Sequence, residues 1–304
     1  MLKVFFPRTD LNVTVNGIPV EPEFALNSWV AFKPEGKGTF VRGELVLLDD
    51  EVPQVTAQLL KRAFKVSENP NPLPNESPGI RNLMIGCLGS RTNMAQAIQY
   101  ILSLTGTPLR QGFVGQAPLR QPPTQSLRGT NGLALRLNYV PQADGQASLK
   151  TPETKGSLQD WPGIQAILGT GKMNGNVLQY DFPRTEPIRE GGLEVPEFMG
   201  LTTTFKFQKV SGLAVKKRGP LGLPLGSKIS KEVVASVGRF LTPAGDVEYL
   251  TEKMRKNGVK VTSTQAAVFA PQPGFVFLYY WVQGVPEVVA AGLKAALDQT
   301  LVRK

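Results

Sequence analysis

The feature that most restricts how this chain can fold is an internal repeat. Adding 195 to the residue numbers lays Gly43–Thr105 on Gly238–Thr300 without a gap. Val52 then meets Val247, Lys65-Val66 meets Lys260-Val261, Pro78-Gly79 meets Pro273-Gly274, Ala95 meets Ala290 and Leu102 meets Leu297. Upstream, at a slightly different offset, Phe6-Pro7-Arg8-Thr9 echoes Phe182-Pro183-Arg184-Thr185, and Pro22-Glu23-Phe24 echoes Pro196-Glu197-Phe198. Chance likeness between two generic stretches does not hold register this long, so the sequence reads as two copies of one unit.

The unit itself is legible from its periodicities. Val4 to Phe6 reads as a strand. Leu11–Val15 and Ile18–Val20 flank Asn16-Gly17, a pair that takes the positive φ of a tight hairpin turn. Trp29–Lys33 and Thr39–Leu48 continue the sheet. Asp49 or Asp50 is expected to cap a helix running to Phe64, with Pro53 in its first turn and Val52, Val55, Leu59 and Ala63 on one face. Phe64–Ser67 and Ile80–Cys87 read as strands. Thr92 or Asn93 is expected to open a helix to Leu104 that buries Met94, Ala97, Ile98 and Ile101. The second copy adds a short capped helix at Asp160–Gly169 that the first lacks. Its strand Phe275–Trp281 is apolar throughout, which suits burial on both faces or an interface. The expected fold is α+β: two tandem repeats, each an antiparallel sheet with two helices on one face, packed pseudo-symmetrically. Expected boundaries are 1–109, a Pro/Gly-rich linker at 110–158 with room for a hairpin arm, and 159–304.

Composition removes several function classes. The chain has no histidine, so the usual general base near neutral pH, Ser-His and Cys-His nucleophile pairs and histidine metal sites are excluded. Its single cysteine, Cys87, excludes an intrachain disulfide and a thiolate metal cluster. Without a histidine partner Cys87 reads as a small hydrophobe rather than a nucleophile. No apolar run approaches the roughly 20 residues of a membrane span. The N-terminal residues carry no signal-peptide pattern, so the expected compartment is the cytoplasm, with envelope or extracellular association open by a non-classical route. The net charge is +10 and unevenly spread: Ser77–Ala143 and Phe198–Lys231 contain no Asp or Glu. That suits an anionic partner such as nucleic acid or an acidic polymer, or only a soluble basic surface. Lys216, Lys217 and Arg218 are the candidate anion contacts.

The segment most like a site is Asn69–Pro78. Prolines at 70, 72, 74 and 78 fix φ and remove backbone donors, which holds a polar loop open. Asn69, Asn71, Asn75, Glu76 and Arg81 are the candidate ligand-binding residues. The asparagines could equally cap and turn the loop, and Glu76 could pair with Arg81. Gly86–Ser90 faintly suggests a phosphate loop but lacks its lysine and glycine spacing.

Phe-Pro-Arg-Thr at the start of a hairpin, the strand-helix-strand that follows, a loop ending in Glu76-Ser77-Pro78, and Asp160-Trp161 with Ile164, Leu168 and Gly169 ahead of the second Phe-Pro-Arg together resemble the LppY/LpqO family, a bacterial family of unassigned reaction. The resemblance covers Val4–Leu109 and Gln159–Thr300. It implies a His-Asn-His pattern in the loop and a further histidine on the next strand, a natural metal or acid–base site. Those positions here read Pro70, Asn71, Pro72 and Met84, and in the second copy Gln265, Ala267 and Tyr279. The scaffold persists while the residues able to do chemistry do not.

The sequence therefore leads to a non-enzymatic, structural or self-associating protein with no cofactor and no metal, expected to form a homo-oligomer. Two alternatives stand beside it: small-ligand binding or weak catalysis through the 69–81 loop, and binding of an anionic polymer or nucleic acid through the acid-free stretches.

Overall fold

The computed structural model describes residues 1–109, 156–210, 232–269 and 274–302. The expected linker and hairpin arm, and the basic loop with Lys216, Lys217 and Arg218, lie outside the described residues.

The first half is built from β1 (Leu2–Pro7), the hairpin β2 (Thr14–Val15) and β3 (Ile18–Pro19), the short helix α1 (Pro22–Ala25), β4 (Asn27–Glu35), β5 (Gly38–Leu48), α2 (Val52–Lys61), β6 (Lys65–Asn69), β7 (Glu76–Ser77), β8 (Ile80–Gly89) and α3 (Arg91–Leu102). Its main sheet is antiparallel in the order β1-β4-β5-β8-β6, and β3-β2-β7 form a small second ribbon. Asn16 and Gly17, at φ 51° and 80°, make the turn that the Asn-Gly pair announces.

After a 3-10 turn at Leu158–Asp160, the second half runs α4 (Pro162–Leu168), β9 (Lys172–Asn174), β10 (Val177–Pro183), the ribbon β11 (Arg189–Glu190) and β12 (Leu193–Glu194), β13 (Thr202–Val210), β14 (Val233–Pro243), α5 (Val247–Lys256), β15 (Lys260–Ala266), β16 (Phe275–Gly284) and α6 (Pro286–Leu297). Its sheet is antiparallel in the order β15-β16-β14-β13-β10-β9. The pairings coincide under the offset found in the sequence. Gly43 lies opposite Ile85 and Gly238 opposite Tyr280; Glu44 lies opposite Met84 and Arg239 opposite Tyr279.

Period-two alternation sends side chains to two different cores. Along β5, Val41, Leu45 and Leu47 pack under α2 and α3 with Val55, Leu59, Ile98 and Ile101. In the second half Val234, Phe240, Leu278 and Tyr280 pack under the helices with Ile164, Leu250, Met254 and Leu293. The opposite sheet faces meet each other. Val15, Phe24, Val46 and Leu73 join Val177, Ala235, Val237 and Trp281, while Trp29, Phe40 and Met84 join Leu201, Leu241, Phe277 and Tyr279. The result is four layers, helices–sheet–sheet–helices, with two apolar clusters shared between the halves. Phe277 to Trp281 are all buried, alternating between the helical core and the inter-sheet clusters. No helix among the described residues is long and apolar enough to cross a membrane.

The repeated Phe-Pro-Arg-Thr has a structural job. At the end of the β4–β5 ladder, Val46 leaves its partner strand, and both of its backbone groups need replacements. The Arg8 guanidinium donates to the Val46 carbonyl at 2.8 Å, and the Val46 N–H donates to Ser28 Oγ at 2.8 Å. In the second half Arg184 donates to the Leu241 carbonyl at 3.0 Å and the Leu241 N–H donates to Thr203 Oγ1 at 3.0 Å. Asp10 and Glu51 neutralise Arg8; Glu186 neutralises Arg184.

Two helix starts differ from the sequence expectation. Glu51, rather than Asp49 or Asp50, precedes α2, because its carboxylate is drawn to Arg8, to the Leu48 N–H at 2.8 Å and to the Gly106 N–H at 2.7 Å. The helix also ends at Lys61, before Ala63 takes a positive φ of 60°. Ser90 caps α3 by accepting from the Asn93 N–H at 3.3 Å, one turn earlier than Thr92 or Asn93 would. Gly86–Gly89 are strand, so no phosphate loop forms there.

Candidate functional site

A buried polar hub joins the two sheets. Glu44 on β5 receives four donors: Arg239 Nη1 at 2.5 Å, Trp29 Nε1 at 3.3 Å, Asn82 Nδ2 at 3.0 Å and the Tyr279 hydroxyl at 3.1 Å. Tyr279 also contacts Gln265 Oε1 at 2.7 Å, and Gln265 donates across the halves to the Ser67 carbonyl at 2.6 Å. Arg239 reaches the Gly200 carbonyl at 3.0 Å and lies 4.0 Å from the Phe277 ring centroid. Burial pushes the Glu44 carboxyl up, but the Arg239 charge and these hydrogen bonds overcome it and hold the carboxyl below its ordinary range. Burial and the neighbouring Glu44 charge push the Tyr279 hydroxyl up. Glu44 is thus a fixed anion with its lone pairs taken.

A second ion pair links the halves. Arg42 Nη1 donates to Glu190 at 2.6 Å, and its Nη2 meets Met84 Sδ and the Ala267 carbonyl. Burial pulls the Arg42 guanidinium down to about 10, with Glu190 acting against it, so it remains charged at neutral pH.

Beside the hub a cleft of about 640 Å³ opens between the sheets. Its apolar wall includes Phe5, Phe24, Trp29, Leu73 and Val237; its polar wall includes Lys3, Lys206, Arg239, Glu44, Glu23 and Asp181. β1 supplies Lys3, whose ammonium sits 4.1 Å from the Trp29 ring centroid and 5.4 Å from that of Phe5. β13 supplies Lys206, which donates to the Glu23 carbonyl at 3.0 Å. Burial, then the nearby Arg239 charge, lowers Lys3 to about 8; burial also lowers Lys206. Asp181 is exposed and accepts from Thr204 at 2.8 Å and Gln179 at 2.7 Å.

The residues singled out in the 69–81 loop do not gather at this cleft. Asn69 is buried and its Oδ1 accepts from the Asn71 N–H at 3.2 Å, which turns the loop. Asn71 and Asn75 are exposed; Asn75 donates to Asn16 of the adjacent hairpin at 3.1 Å. Glu76 pairs with Val15 through the backbone, and partial burial raises its carboxyl. Arg81 does not pair with Glu76: it binds Asp49 at 2.6 Å, lies 4.0 Å from Glu68 and donates to the Pro70 carbonyl. The loop reaches the cleft only through Pro72 and Leu73. Cys87 is half-buried, and burial raises its thiol.

Sequence reading missed Lys3, Glu44, Lys206 and Arg239. A signal existed: positions 44 and 239 coincide under the offset, lie inside strands and carry opposite charges.

These features define an α+β protein of two facing antiparallel sheets, helices on the outer faces, and a polar hub and cleft made jointly by both halves. The chain belongs to the family described as Domain of Unknown Function (DUF1259), whose sequence profile matches residues 1–104 and 227–299, more than half of its length. No curated protein and no solved structure matches it.

Proposed function

We propose that the protein binds a small organic molecule in the cleft between its sheets and catalyses no reaction on it. The cleft itself carries this reading. Its 640 Å³ falls within the roughly 300–1,000 Å³ usual for small-molecule sites, and it combines an aromatic wall with a few convergent polar groups. The buried carboxylate that lines the cleft, Glu44, is held by Arg239, Trp29, Asn82 and Tyr279, which suits support rather than proton transfer. The resemblance to the LppY/LpqO family points the same way: Gln265 and Tyr279, which stand where it implies histidines, lie 2.7 Å apart and brace the hub, the single Tyr279 proton serving Gln265 and Glu44 between them. This reading moves the binding site from the 69–81 loop to the space behind it. A melting-temperature screen of metabolites grouped by charge and size tests it. Of the three tryptophans only Trp29 lines the cleft, so a true ligand also changes Trp29 emission once Trp161 and Trp281 are phenylalanine. A panel in which nothing moves either readout would sink the proposal.

Self-association is a second reading, favoured by one observation. β9 covers the outer edge of β10, but among the described residues nothing pairs with the corresponding edge of β1. Leu2 and Phe5 on that strand are 43% and 54% exposed. An open edge with apolar residues invites pairing with another chain. Size-exclusion chromatography with light scattering decides it; a monomer at high concentration removes this reading and leaves the first standing.

A further inference from the structure

Two ammoniums line the cleft with donors that no described residue fills, and this states what would seat there. An ammonium carries three N–H donors. Lys3 makes no hydrogen bond to any described residue, and Lys206 makes one, to the Glu23 carbonyl. Neither has a carboxylate within 4.0 Å among the described residues, although both are largely withdrawn from water. None of the nearby carboxylates pairs with either ammonium: Glu44 is held by Arg239 and three other donors, Asp181 accepts from Thr204 and Gln179, and the Glu23 carboxylate forms no ion pair with Lys3 or Lys206. An anion seated between the two ammoniums would supply the charge-assisted hydrogen bonds that the protein leaves unmade.

Resting on the reading of the cleft as a ligand site, we propose that its ligand is a small organic monoanion: a carboxylate or similar head seated between Lys3 and Lys206, with an apolar body against Trp29, Phe5 and Phe24. Asp181 and Glu23 limit the head to a single negative charge, because a second would face their carboxylates with no further cation to meet it. The Arg239 charge is already met by Glu44, and its Nη1 and Nη2 also contact Tyr279 and the Gly200 carbonyl, so the two lysines are the unpaired cations of the cleft. A Lys3 lowered to about 8 is mostly protonated at neutral pH and ready to pair; above that pH it loses the proton and the head loses one partner.

Matched probes test the charge separately from the shape. 1-Naphthoate and 1-naphthamide share a ring and differ in charge, as do decanoate and decanamide. Calorimetric titration of the full chain at pH 7 is expected to give at least a tenfold preference for each acid over its amide. Lys3→Met and Lys206→Met each reduce that preference several-fold, and the preference falls as pH rises from 7 to 9.5. Arg81→Ala, outside the cleft, leaves it unchanged. Equal affinity for acid and amide overturns the anion assignment while leaving the cleft as a binding site. No binding by any of the four probes overturns both. A preference that survives in both lysine variants shows that the anion is held elsewhere and overturns the proposal.

Discussion

Replacing Arg239 with methionine tests whether the hub holds the halves together. In the native protein Arg239 is 2.5 Å from Glu44, donates to the Gly200 carbonyl and lies over Phe277. Methionine keeps most of the apolar stem and removes the charge. Glu44 then remains buried with Trp29, Asn82 and Tyr279 but without a counter-ion, and stripping one partner from a buried pair costs about 3–5 kcal/mol. The orphaned Gly200 carbonyl adds about 1 kcal/mol. The expected loss, about 4–6 kcal/mol, is a large share of the roughly 5–15 kcal/mol that holds a protein folded. The pH dependence carries a sign. Natively the Glu44 carboxyl titrates below its ordinary 4.5, so its stabilisation is full above 4.5 and lost as pH falls through the folded value. In Arg239→Met burial dominates and the folded carboxyl rises above 4.5. The folded variant then binds a proton before the unfolded chain does, and its deficit shrinks as pH falls from 7 to 5. Urea unfolding at pH 7, 6 and 5 measures this, and the Glu44→Gln, Arg239→Met double variant should lose about 2–3 kcal/mol less than the two single losses summed. A loss under about 1 kcal/mol, or one as large at pH 5 as at pH 7, would refute the argument.

Three further outcomes follow from the same geometry. Gly43 and Gly238 sit where the neighbouring strand comes closest; a methyl group would lie 2.6 Å from the Trp29 carbonyl at 43 and closer still to the Thr204 carbonyl at 238, so both alanine variants unfold at lower urea and Gly238→Ala loses more. Arg8→Met loses about 3–5 kcal/mol by urea unfolding, since it takes a buried guanidinium from a strand carbonyl and the little-exposed Glu51; Arg184→Met loses less, about 1–3 kcal/mol, because the Glu186 it leaves is 35% exposed. Lys3→Met stabilises the ligand-free protein at pH 7 by on the order of 1–2 kcal/mol: a folded value near 8 against 10.5 unfolded means the burial penalty is full below 8 and fades as pH rises to 10.5, so thermal melts should lose the gain by pH 10.

Much of the scaffold was legible because local chemistry decides it. Asn16-Gly17 turns a hairpin, Val55 and Leu59 mark the buried side of a helix, and the gapless offset anticipates matching ladders. The hub was not legible, because Phe40, Arg42, Glu44 and Val46 alternate with buried Val41, Leu45 and Leu47 as the solvent face of an ordinary two-layer sheet would. Only the second sheet makes that face interior. The Asn69–Pro78 loop was ambiguous for the converse reason. Its prolines and asparagines are what a binding loop uses, but Asn71, Asn75 and Arg81 spend their hydrogen bonds on the loop, the hairpin turn and Asp49. Local composition records that a loop is stiff, not what the stiffness supports.

The offset explains why the copies could not stay alike at their meeting point. Positions 44 and 239 coincide under it and touch across the sheets, as Glu44 and Tyr279 also do, with Tyr279 the counterpart of Met84. Had both copies kept Glu at this position, two buried carboxylates would share one space, and one would have to protonate. Two arginines would fare no better. Opposite charges at positions that coincide under the offset therefore let the two sheets meet there without a like-charge pair. The cleft inherits the consequence. Lys3 comes from the first strand of one half and Lys206 from the third main-sheet strand of the other, so neither half alone carries the donor pair. A ligand that fills the cleft would therefore bridge the halves and raise the stability of both together.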